Sequence, residues 1–193
     1  RALAVTMSPI FADKWLIPRL RQFWKLHPEI TLSLRPTASV LDLARERIDL
    51  GIRYGLGDWP GTQATYLTSA RFVVVAGPDF ADGDAAPEVL ARQPWIVEED
   101  WAEPMNWLSS HGIDIEGSPR MMFSTEELCL TAARQGLSLY VATAALVERD
   151  VQEGNLRIAF DPKDDNPAYY IVTPPGPLSN EARIFFDWLR TQT

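Results

Sequence analysis

The sequence contains little of what covalent or metal chemistry requires. One of its 193 residues is a cysteine, Cys129, so no disulfide can form within the chain. The two histidines, His27 and His111, stand far apart, and no spacing is typical of a metal site. No pairing of a nucleophile with a base, or of an acid with a base, indicates catalysis. We therefore expect no metal, no cofactor and no enzymatic activity.

Basic residues are also scarce, and long apolar runs are missing. The chain has 18 Lys and Arg residues against 26 Asp and Glu residues, for a net charge of −8. Because nucleic-acid binding relies on a basic surface that displaces counterions, we expect no DNA or RNA binding by this chain alone. The apolar runs are too short to cross a membrane, and residues 1–30 lack the order of a secretory signal. We expect a globular, cytoplasmic protein with no membrane partner.

The most informative segment is residues 48–61. It begins as a short apolar β run and then breaks into a glycine-rich turn closed by Trp59-Pro60-Gly61. A strand that runs into such a loop is how an open α/β sheet presents a ligand crevice at the carboxyl ends of its strands. The segment contains no His, Cys or Ser, so it indicates binding rather than reaction.

The first third of the chain alternates between strand and helix patterns. Ser8-Pro9 favours a helix start, because Ser can cap free N–H groups and Pro loses nothing at the first position. Pro18 should interrupt or restart that helix, which ends at His27-Pro28. With strands predicted at residues 2–7, 30–35 and 48–54 and a short helix at 37–45, the pattern is β-α-β-α-β, the unit of a parallel sheet.

The rest of the chain indicates a second α/β set. Ser124-Thr125-Glu126-Glu127 matches a capping box with Ser124 as the cap, and Gly136 should end that helix. One long strand or crossover is predicted at residues 66–77, with a helix starting at 78–80. Further strands are predicted at 94–98, 120–123, 137–141, 156–160 and 168–173, and helices at 103–112, 144–149 and 181–190.

Several stretches together resemble the effector-binding domain of LysR-type transcriptional regulators, in the branch of the glycine-cleavage activator and the β-lactamase regulator. The resemblance covers nearly the whole chain and is most specific in the first sixty residues. The matching pieces are Ser8-Pro9-Ile10-Phe11-Ala12, Trp15-Leu16-Ile17-Pro18-Arg19-Leu20, Phe23 with His27-Pro28, Asp42-Leu43-Ala44-Arg45-Glu46, residues 48–61, Tyr169-Tyr170-Ile171-Val172, and Phe186 with Trp188-Leu189.

This resemblance implies a type 2 periplasmic-binding-protein-like α/β fold with two Rossmann-like lobes, two crossovers and an interlobe cleft. Lobe I would comprise residues 1–70 and 167–193, and lobe II residues 71–166. The family's N-terminal winged helix-turn-helix would be absent from this fragment. A small-molecule effector would bind between the lobes. It would modulate DNA binding by that separate domain, in a homodimer of this domain and a homotetramer of the full-length chain.

Two helix starts are the first candidates for effector binding: Ser8-Pro9 and Ser124-Thr125. A helix N-terminus presents free N–H donors and a partial positive charge, which favours a carboxylate or another anion. The resemblance implies that both point into the cleft from opposite lobes. The alternative is that these hydroxyls only cap their helices.

Further candidates lie at strand ends. Thr37 follows the second strand, and Arg53 and Tyr54 end the third; Arg53 could meet a carboxylate bidentately or form a salt bridge within the protein. Strand alternation allows only one of Tyr169 and Tyr170 to face the cleft, and the resemblance favours Tyr169 over a purely structural aromatic.

Residues 98–101, Glu-Glu-Asp-Trp, end a predicted strand of lobe II. Acids such as Glu99 oppose an anionic ligand unless they meet its amino group, so an amino-acid-like effector would suit both the acids and the helix starts. The alternative is a solvated acidic turn.

Helical spacing places the tryptophans of the first and last helices in a core or an interface. The resemblance implies that the first helix packs on lobe II of a partner domain. We therefore predict a dimer surface of Arg19, Gln22, Phe23 and Trp24. Cys129, in the middle of a predicted helix, would be an inert buried thiol or, by analogy with redox-sensing regulators, a reactive one.

Two other classes of function remain as alternatives. A stand-alone solute-binding protein of a transporter would share the fold, and a leader peptide ahead of Arg1 would distinguish it from a regulator. An enzyme on the same fold would need a reactive constellation that the sequence does not show.

Overall fold

The structure is a computed structural model that describes residues 1–80, 85–165 and 167–193. The chain divides into two compact units, which we call lobe I (Arg1–Ala70 with Asp165–Thr193) and lobe II (Arg71–Asp164). Among the described residues, no helix is both long enough and apolar enough to cross a membrane.

Lobe I is built on a mixed sheet with the strand order β2-β1-β3-β10-β4. Its strands are β1 (Leu3–Met7), β2 (Leu32–Pro36), β3 (Leu50–Gly55), β4 (Gln63–Ser69) and β10 (Ala168–Thr173). Strand β1 is parallel to β2 and β3, whereas β10 is antiparallel to β3 and β4. The predicted strands at residues 2–7, 30–35, 48–54 and 168–173 are confirmed to within two residues.

The helical layer of lobe I begins directly after β1. Helix α1 (Pro9–Phe11) continues through a π-helical turn (Ala12–Leu16) into α2 (Ile17–Leu26), and α7 (Asn180–Arg190) closes the chain. The predicted interruption at Pro18 is confirmed, since the chain changes from a π-helical turn to an α-helix at Ile17 and Pro18 lies in the first turn of α2. The buried rings of Phe23 and Phe185 lie 5.0 Å apart and join α2 to α7.

The helix predicted at residues 37–45 is wrong. Instead the chain makes turns that are held by side chains. Thr37 Oγ1 accepts from the backbone N–H of Ser39 at 3.1 Å, and Asp42 Oδ1 accepts from that of Arg45 at 3.0 Å. Such short polar side chains compete with helical backbone bonding. The connection from β2 to β3 is therefore a loop.

Lobe II has a second mixed sheet, with the order β7-β6-β8-β5-β9. Strand β6 is parallel to β7 and β8, whereas β5 is antiparallel to β8 and β9. Its elements are β5 (Phe72–Ala76), α3 (Pro87–Ala91), β6 (Trp95–Glu98), α4 (Glu103–Ser110), β7 (Arg120–Phe123), α5 (Glu126–Arg134), β8 (Leu139–Thr143), α6 (Ala144–Gln152) and β9 (Arg157–Phe160).

Two predictions near the start of lobe II meet different outcomes. Of the two alternatives at residues 66–77, one long strand is wrong and a crossover fits, because β4 ends at Ser69 in lobe I and β5 begins at Phe72 in lobe II. The predicted helix start at 78–80 is a turn closed by the N–H of Phe80 on Gly77 O, and residues 81–84 lie outside the described residues.

The end of β5 touches the end of α5 through two glycines. A Cβ atom added to Gly77 would lie 2.5 Å from Gly136 Cα and 3.0 Å from Gly136 N. Gly136 has a φ of +75° and ends α5 as the sequence predicts. The absence of side chains at both positions therefore allows these backbones to meet.

An ion pair joins the first residue of lobe II to the segment near its end. Arg71 Nη2 donates to Asp161 Oδ2 at 2.9 Å and Arg71 Nε to Oδ1 at 3.3 Å. Lys163 also pairs with the Asp161 carboxylate, whose side chain is only 6% exposed. This bidentate geometry holds the start of β5 to the segment that follows β9.

Candidate functional site

In lobe I, the end of β1 brings two of the predicted residues together. Ser8 caps α1, since its Oγ accepts from the N–H of Phe11 at 3.3 Å, and Pro9 takes the first helical position as predicted. The N–H of Thr37 donates to Met7 O at 2.8 Å, which places Thr37 beside Ser8 at the carboxyl edge of β1 and β2. Both residues are half-buried.

Tyr169 and Tyr54 lie next to each other on the face of the sheet that α1 covers. They are directly opposite in the β3–β10 register, with ring centroids 6.0 Å apart. The ring of Tyr169 also lies 4.7 Å from that of Phe11, and Tyr169 is 5% exposed. These aromatic contacts lock the side chain behind the start of α1.

Arg53 lies on the other face of the same sheet. It is opposite Tyr170 in the register, and its guanidinium donates to Leu41 O and lies 5.8 Å from the ring of Trp59. Burial lowers the pKa of Arg53, against the opposing effect of Asp42. The structure thus separates Arg53 from Tyr54 and Tyr169, because adjacent residues of a strand point to opposite faces.

Tyr170 packs into the glycine-rich turn that the sequence singled out. Its ring lies 5.7 Å from that of Trp59, and a Cβ atom on Gly57, whose φ is +90°, would come within 2.8 Å of it. Trp59 in turn covers Gly55. The segment from residue 48 to 61 therefore packs against Tyr170, while Tyr169 shares its face with Tyr54.

In lobe II, the start of α5 differs from the prediction by one residue. Thr125, not Ser124, is the cap: its backbone is extended and its Oγ1 accepts from the N–H of Leu128 at 3.3 Å. The helix begins at Glu126, so Ser124 is one residue too early to reach the first free N–H groups. Ser124 is exposed.

The acidic residues at the end of β6 are divided between surface and interior. Glu99 is exposed, and its backbone N–H continues the sheet by donating to Phe123 O at 2.8 Å. Glu98, which the sequence analysis placed with Glu99 in one acidic turn, has its Oε2 atom shielded from solvent. Strand alternation from the buried Ile96 contained this signal, since Glu98 shares its face.

Burial raises the pKa values of two carboxyl groups in this part of lobe II. Burial, reinforced by Glu127, raises the pKa of Glu98 to about 7. Burial, followed by Glu98 and Glu127, raises the pKa of Glu126 to about 8. At neutral pH both carboxyl groups therefore carry a proton for a large part of the time.

Burial and the neighbouring acids also affect the thiol of Cys129. The residue is fully buried, and burial together with Glu98 and Glu126 raises the pKa of its thiol to about 12. Since the thiolate is the reactive form, burial and the raised pKa favour the predicted buried, unreactive thiol over a redox-sensing one.

The four residues of the predicted dimer surface are divided between the core of lobe I and the surface. Phe23 is wholly buried against Phe185 and Trp188, so it belongs to the core of lobe I instead. Trp24 is 65% exposed and Gln22 is exposed, while Arg19 stacks on Trp15 at 4.3 Å. Trp24 lies in an apolar groove, which we call the α2 patch, lined by Ile17, Leu20, Arg21, Trp24, Lys25, Pro28, Leu32 and Leu34.

Comparison with known proteins decides the family. The family model of the LysR substrate binding domain matches residues 1–193. The chain is a LysR substrate-binding domain. It is 43% identical over 194 residues to the AhcY transcriptional activator HvrB of Rhodobacter capsulatus, across 100% of the chain and 66% of that protein. It is 30% identical over 190 residues to the HTH-type transcriptional activator AmpR of Pseudomonas aeruginosa, across 97% of the chain and 64% of that protein.

Solved structures of LysR regulators share this fold. The effector domain of AmpR from P. aeruginosa superimposes with a TM-score of 0.83 at 28% identity, covering 99% of this chain and 94% of that one. The AmpR effector-binding domain from Citrobacter freundii has a TM-score of 0.83 at 25% identity, covering 99% and 97%. The predicted type 2 periplasmic-binding-protein-like class with two α/β lobes is confirmed.

Both of these solved neighbours are effector domains of the regulator AmpR. The chain spans about two thirds of the length of the curated relatives that it matches. Those relatives are transcriptional regulators, which supports neither a transporter's solute-binding protein nor an enzyme.

Proposed function

We propose that this LysR domain binds a small carboxylate or amino-acid-like effector, and thereby changes how a separate winged helix-turn-helix domain engages DNA. The AmpR relatives are named HTH-type activators and extend beyond the part matched by this chain, which supports a DNA-binding domain outside it. A regulator of transcription works where the bacterial chromosome is, so we assign the protein to the cytoplasm.

The observation that carries this proposal is the set of polar groups at the carboxyl ends of parallel strands. In lobe I, Ser8 and Thr37 lie together after β1 and β2. In lobe II, Thr125 follows β7 at the start of α5, where the first N–H groups of the helix have no partner within the helix. Such donors, together with the positive end of the helix dipole, suit a carboxylate. We assign Ser8, Pro9, Thr37, Tyr54 and Tyr169 to the effector site in lobe I, and Thr125 in lobe II.

The first test combines a ligand screen with two matched cap variants. The twenty standard amino acids and a set of small mono- and dicarboxylates are screened by thermal shift on the 193-residue chain. Thr125→Ala and Ser179→Ala each remove a hydroxyl that caps a helix, at 3.3 and 3.2 Å from the N–H it accepts. Each should lower the free energy of unfolding by about 1 kcal/mol. Only Thr125→Ala should weaken binding of a compound that stabilises the wild type, by about tenfold in calorimetry.

Two results would contradict this assignment. If no compound in the screen stabilises the domain, effector binding of this chemical class is wrong. If both cap variants bind equally well, Thr125 serves α5 alone.

We further propose that the domain forms a homodimer through the α2 patch. The patch exposes Trp24 and Ile17 (54%) on a helix, beside the edge strand β2. Lobe II exposes Met121 (47%), Met122 (57%) and Leu128 (49%) on its edge strand β7 and on α5. In an isologous dimer the α2 patch of one copy packs on these side chains of its partner, twice in each dimer.

Trp24→Glu should abolish this dimer. A large aromatic at the centre of an apolar interface typically contributes about 2 kcal/mol or more, and the interface contains it twice, so the dissociation constant should rise by at least about a hundredfold. The control is Leu56→Glu, since Leu56 is 79% exposed and lies outside the patch. Sedimentation equilibrium on both variants and the wild type measures the effect. A wild-type monomer at high concentration would rule out the patch as a dimer interface.

A further inference from the structure

The one thiol of this chain is a poor target for oxidants. Cys129 is fully buried in α5, and burial, followed by the charges of Glu98 and Glu126, raises the pKa of its thiol to about 12. Because the thiolate is the form that peroxides attack, oxidation of Cys129 is slow at neutral pH. The sulfur that an oxidant in solution reaches first therefore belongs to a methionine.

The four methionines differ widely in exposure. Met7 lies in the core of lobe I and is 2% exposed, and Met105 of α4 is half-buried. Met121 and Met122 are 47% and 57% exposed. Since oxidation of a thioether to the sulfoxide follows its exposure, these two neighbours are the oxidant-accessible sulfur of the domain.

Met121 and Met122 lie on the edge strand of lobe II. Strand β7 stands at the end of the sheet order beside β6, with Met121 opposite Ile96 and Met122 opposite Val97. Adjacent residues of a strand point to opposite faces, so both faces of this edge present a thioether. Natural proteins protect edge strands with charges, proline or a covering element, and β7 carries a single charge, that of Arg120. This apolar edge therefore suits a surface that a partner copy covers.

We propose that Met121 and Met122 form an oxidation site, and that their conversion to methionine sulfoxide dissociates the homodimer. This inference rests on the homodimer proposed above, in which both side chains pack on the α2 patch of the partner copy. The oxidant is a hydroperoxide. Its terminal oxygen atom forms a bond to the thioether sulfur while the O–O bond breaks. The sulfur loses two electrons, and the peroxide leaves as water or an alcohol after its proton moves to the departing oxygen.

The α2 patch is a poor surface for a sulfoxide. Six of its eight lining residues are apolar, including Trp24 and Ile17. A sulfoxide is a polar hydrogen-bond acceptor, and packing it against apolar side chains removes its hydrogen bonds to water without replacing them. An isologous dimer contains the methionine pair twice, so the penalty is incurred at two places.

Association and oxidation should oppose each other. The dissociated copy exposes both methionines, whereas the proposed dimer covers them. A hydroperoxide therefore reacts with free copies and keeps them from associating again. The rate of sulfoxide formation should fall as the protein concentration rises above the dissociation constant of the dimer.

The experiment treats the 193-residue chain with hydrogen peroxide and locates sulfoxides by peptide mass mapping. We expect oxidation at Met121 and Met122 to be at least about tenfold faster than at Met7. In sedimentation equilibrium, the dissociation constant of the oxidised chain should rise at least about tenfold, since each buried sulfoxide loses its bonds to water. Methionine sulfoxide reductases A and B should restore the original value, which separates this effect from damage to other side chains.

Variants assign the effect to residues. The double variant Met121→Leu with Met122→Leu keeps the apolar volume and removes the sulfur, so it should dimerise as the wild type does and resist peroxide. Met122→Gln places a polar group of similar length at the site and should weaken the dimer without any oxidant. Met105→Leu is the control, since it removes a half-buried methionine and should leave the dimer sensitive to peroxide.

The possible failures point to different causes. If the oxidised wild type dimerises as tightly as the untreated protein, the inference is overturned and the proposed dimer stands. It is also overturned if Met7 and Met105 are oxidised as fast as the exposed pair. If the untreated wild type stays monomeric at high concentration, the proposed dimer fails and the inference fails with it.

Discussion

Replacing Gly77 with alanine is expected to lower the free energy of unfolding by about 3 kcal/mol. The new Cβ would lie 2.5 Å from Gly136 Cα, 3.0 Å from Gly136 N and 3.2 Å from Ala133 O. All three are backbone atoms, so no flexible side chain can swing away to make room. Relief requires the end of β5 to move from the end of α5, which disturbs the centre of lobe II. Urea unfolding, followed by circular dichroism, measures the loss.

Gly117→Ala is the matched control for this prediction. Nothing lies within 4 Å of a Cβ atom at Gly117, and its φ lies outside the left-handed region. The same substitution there should change stability by less than about 1 kcal/mol, most simply as a gain, because alanine restricts the unfolded chain. Equal losses in the two variants would show that the contact between Gly77 and Gly136 has no energetic importance.

Asp161→Asn is expected to lower the free energy of unfolding by about 2 kcal/mol. The change removes the carboxylate that accepts two hydrogen bonds from the half-buried Arg71 guanidinium. Lys163→Gln is the control, since the Lys163 side chain is 73% exposed and pairs with the same carboxylate. An exposed partner should contribute less than about 1 kcal/mol. If Lys163→Gln costs as much as Asp161→Asn, the pair with Arg71 is not the main contribution.

The same pair predicts a pH dependence. Burial alone would raise the pKa of Asp161, but hydrogen bonds from Arg71 and Lys163 outweigh it and lower the pKa from 3.8 to about 2. The contribution of Asp161 to stability is therefore fully present above about pH 4 and is lost as the pH falls through 2. Acid titration of the wild type and of Asp161→Asn should converge over that window. Parallel curves down to pH 2 would contradict the assignment.

Short-range hydrogen bonds explain which helix ends and turns the sequence predicted correctly and which it did not. Ser8 and Gly136 each carry a signal that acts on adjacent backbone, and the structure places both as predicted. The capping box failed by one residue because Ser124 and Thr125 are both hydroxyls, and only the direction of the incoming strand decides which one caps. The predicted helix at 37–45 failed because Thr37 and Asp42 bond to backbone two and three residues ahead and close turns.

The site was harder to predict because neighbours in sequence point in different directions. Glu98 and Glu99 are the same type of residue, yet Oε2 of Glu98 is shielded from solvent and Glu99 is exposed. The same applies to Phe23 and Trp24 on α2. Which side of a strand or helix is covered depends on partners distant in sequence, such as Phe185 of α7, which fills the space beside Phe23.

The buried thiol of Cys129 has a practical consequence for spectroscopy. Cys129 is the one cysteine of this chain, and its thiol is buried and protonated at neutral pH. Maleimide dyes, which react with exposed thiolates, should therefore label it only slowly. A cysteine introduced on each lobe can carry a fluorophore pair without first removing the natural one. Energy transfer between such dyes would test whether the distance between the lobes changes when an effector is added.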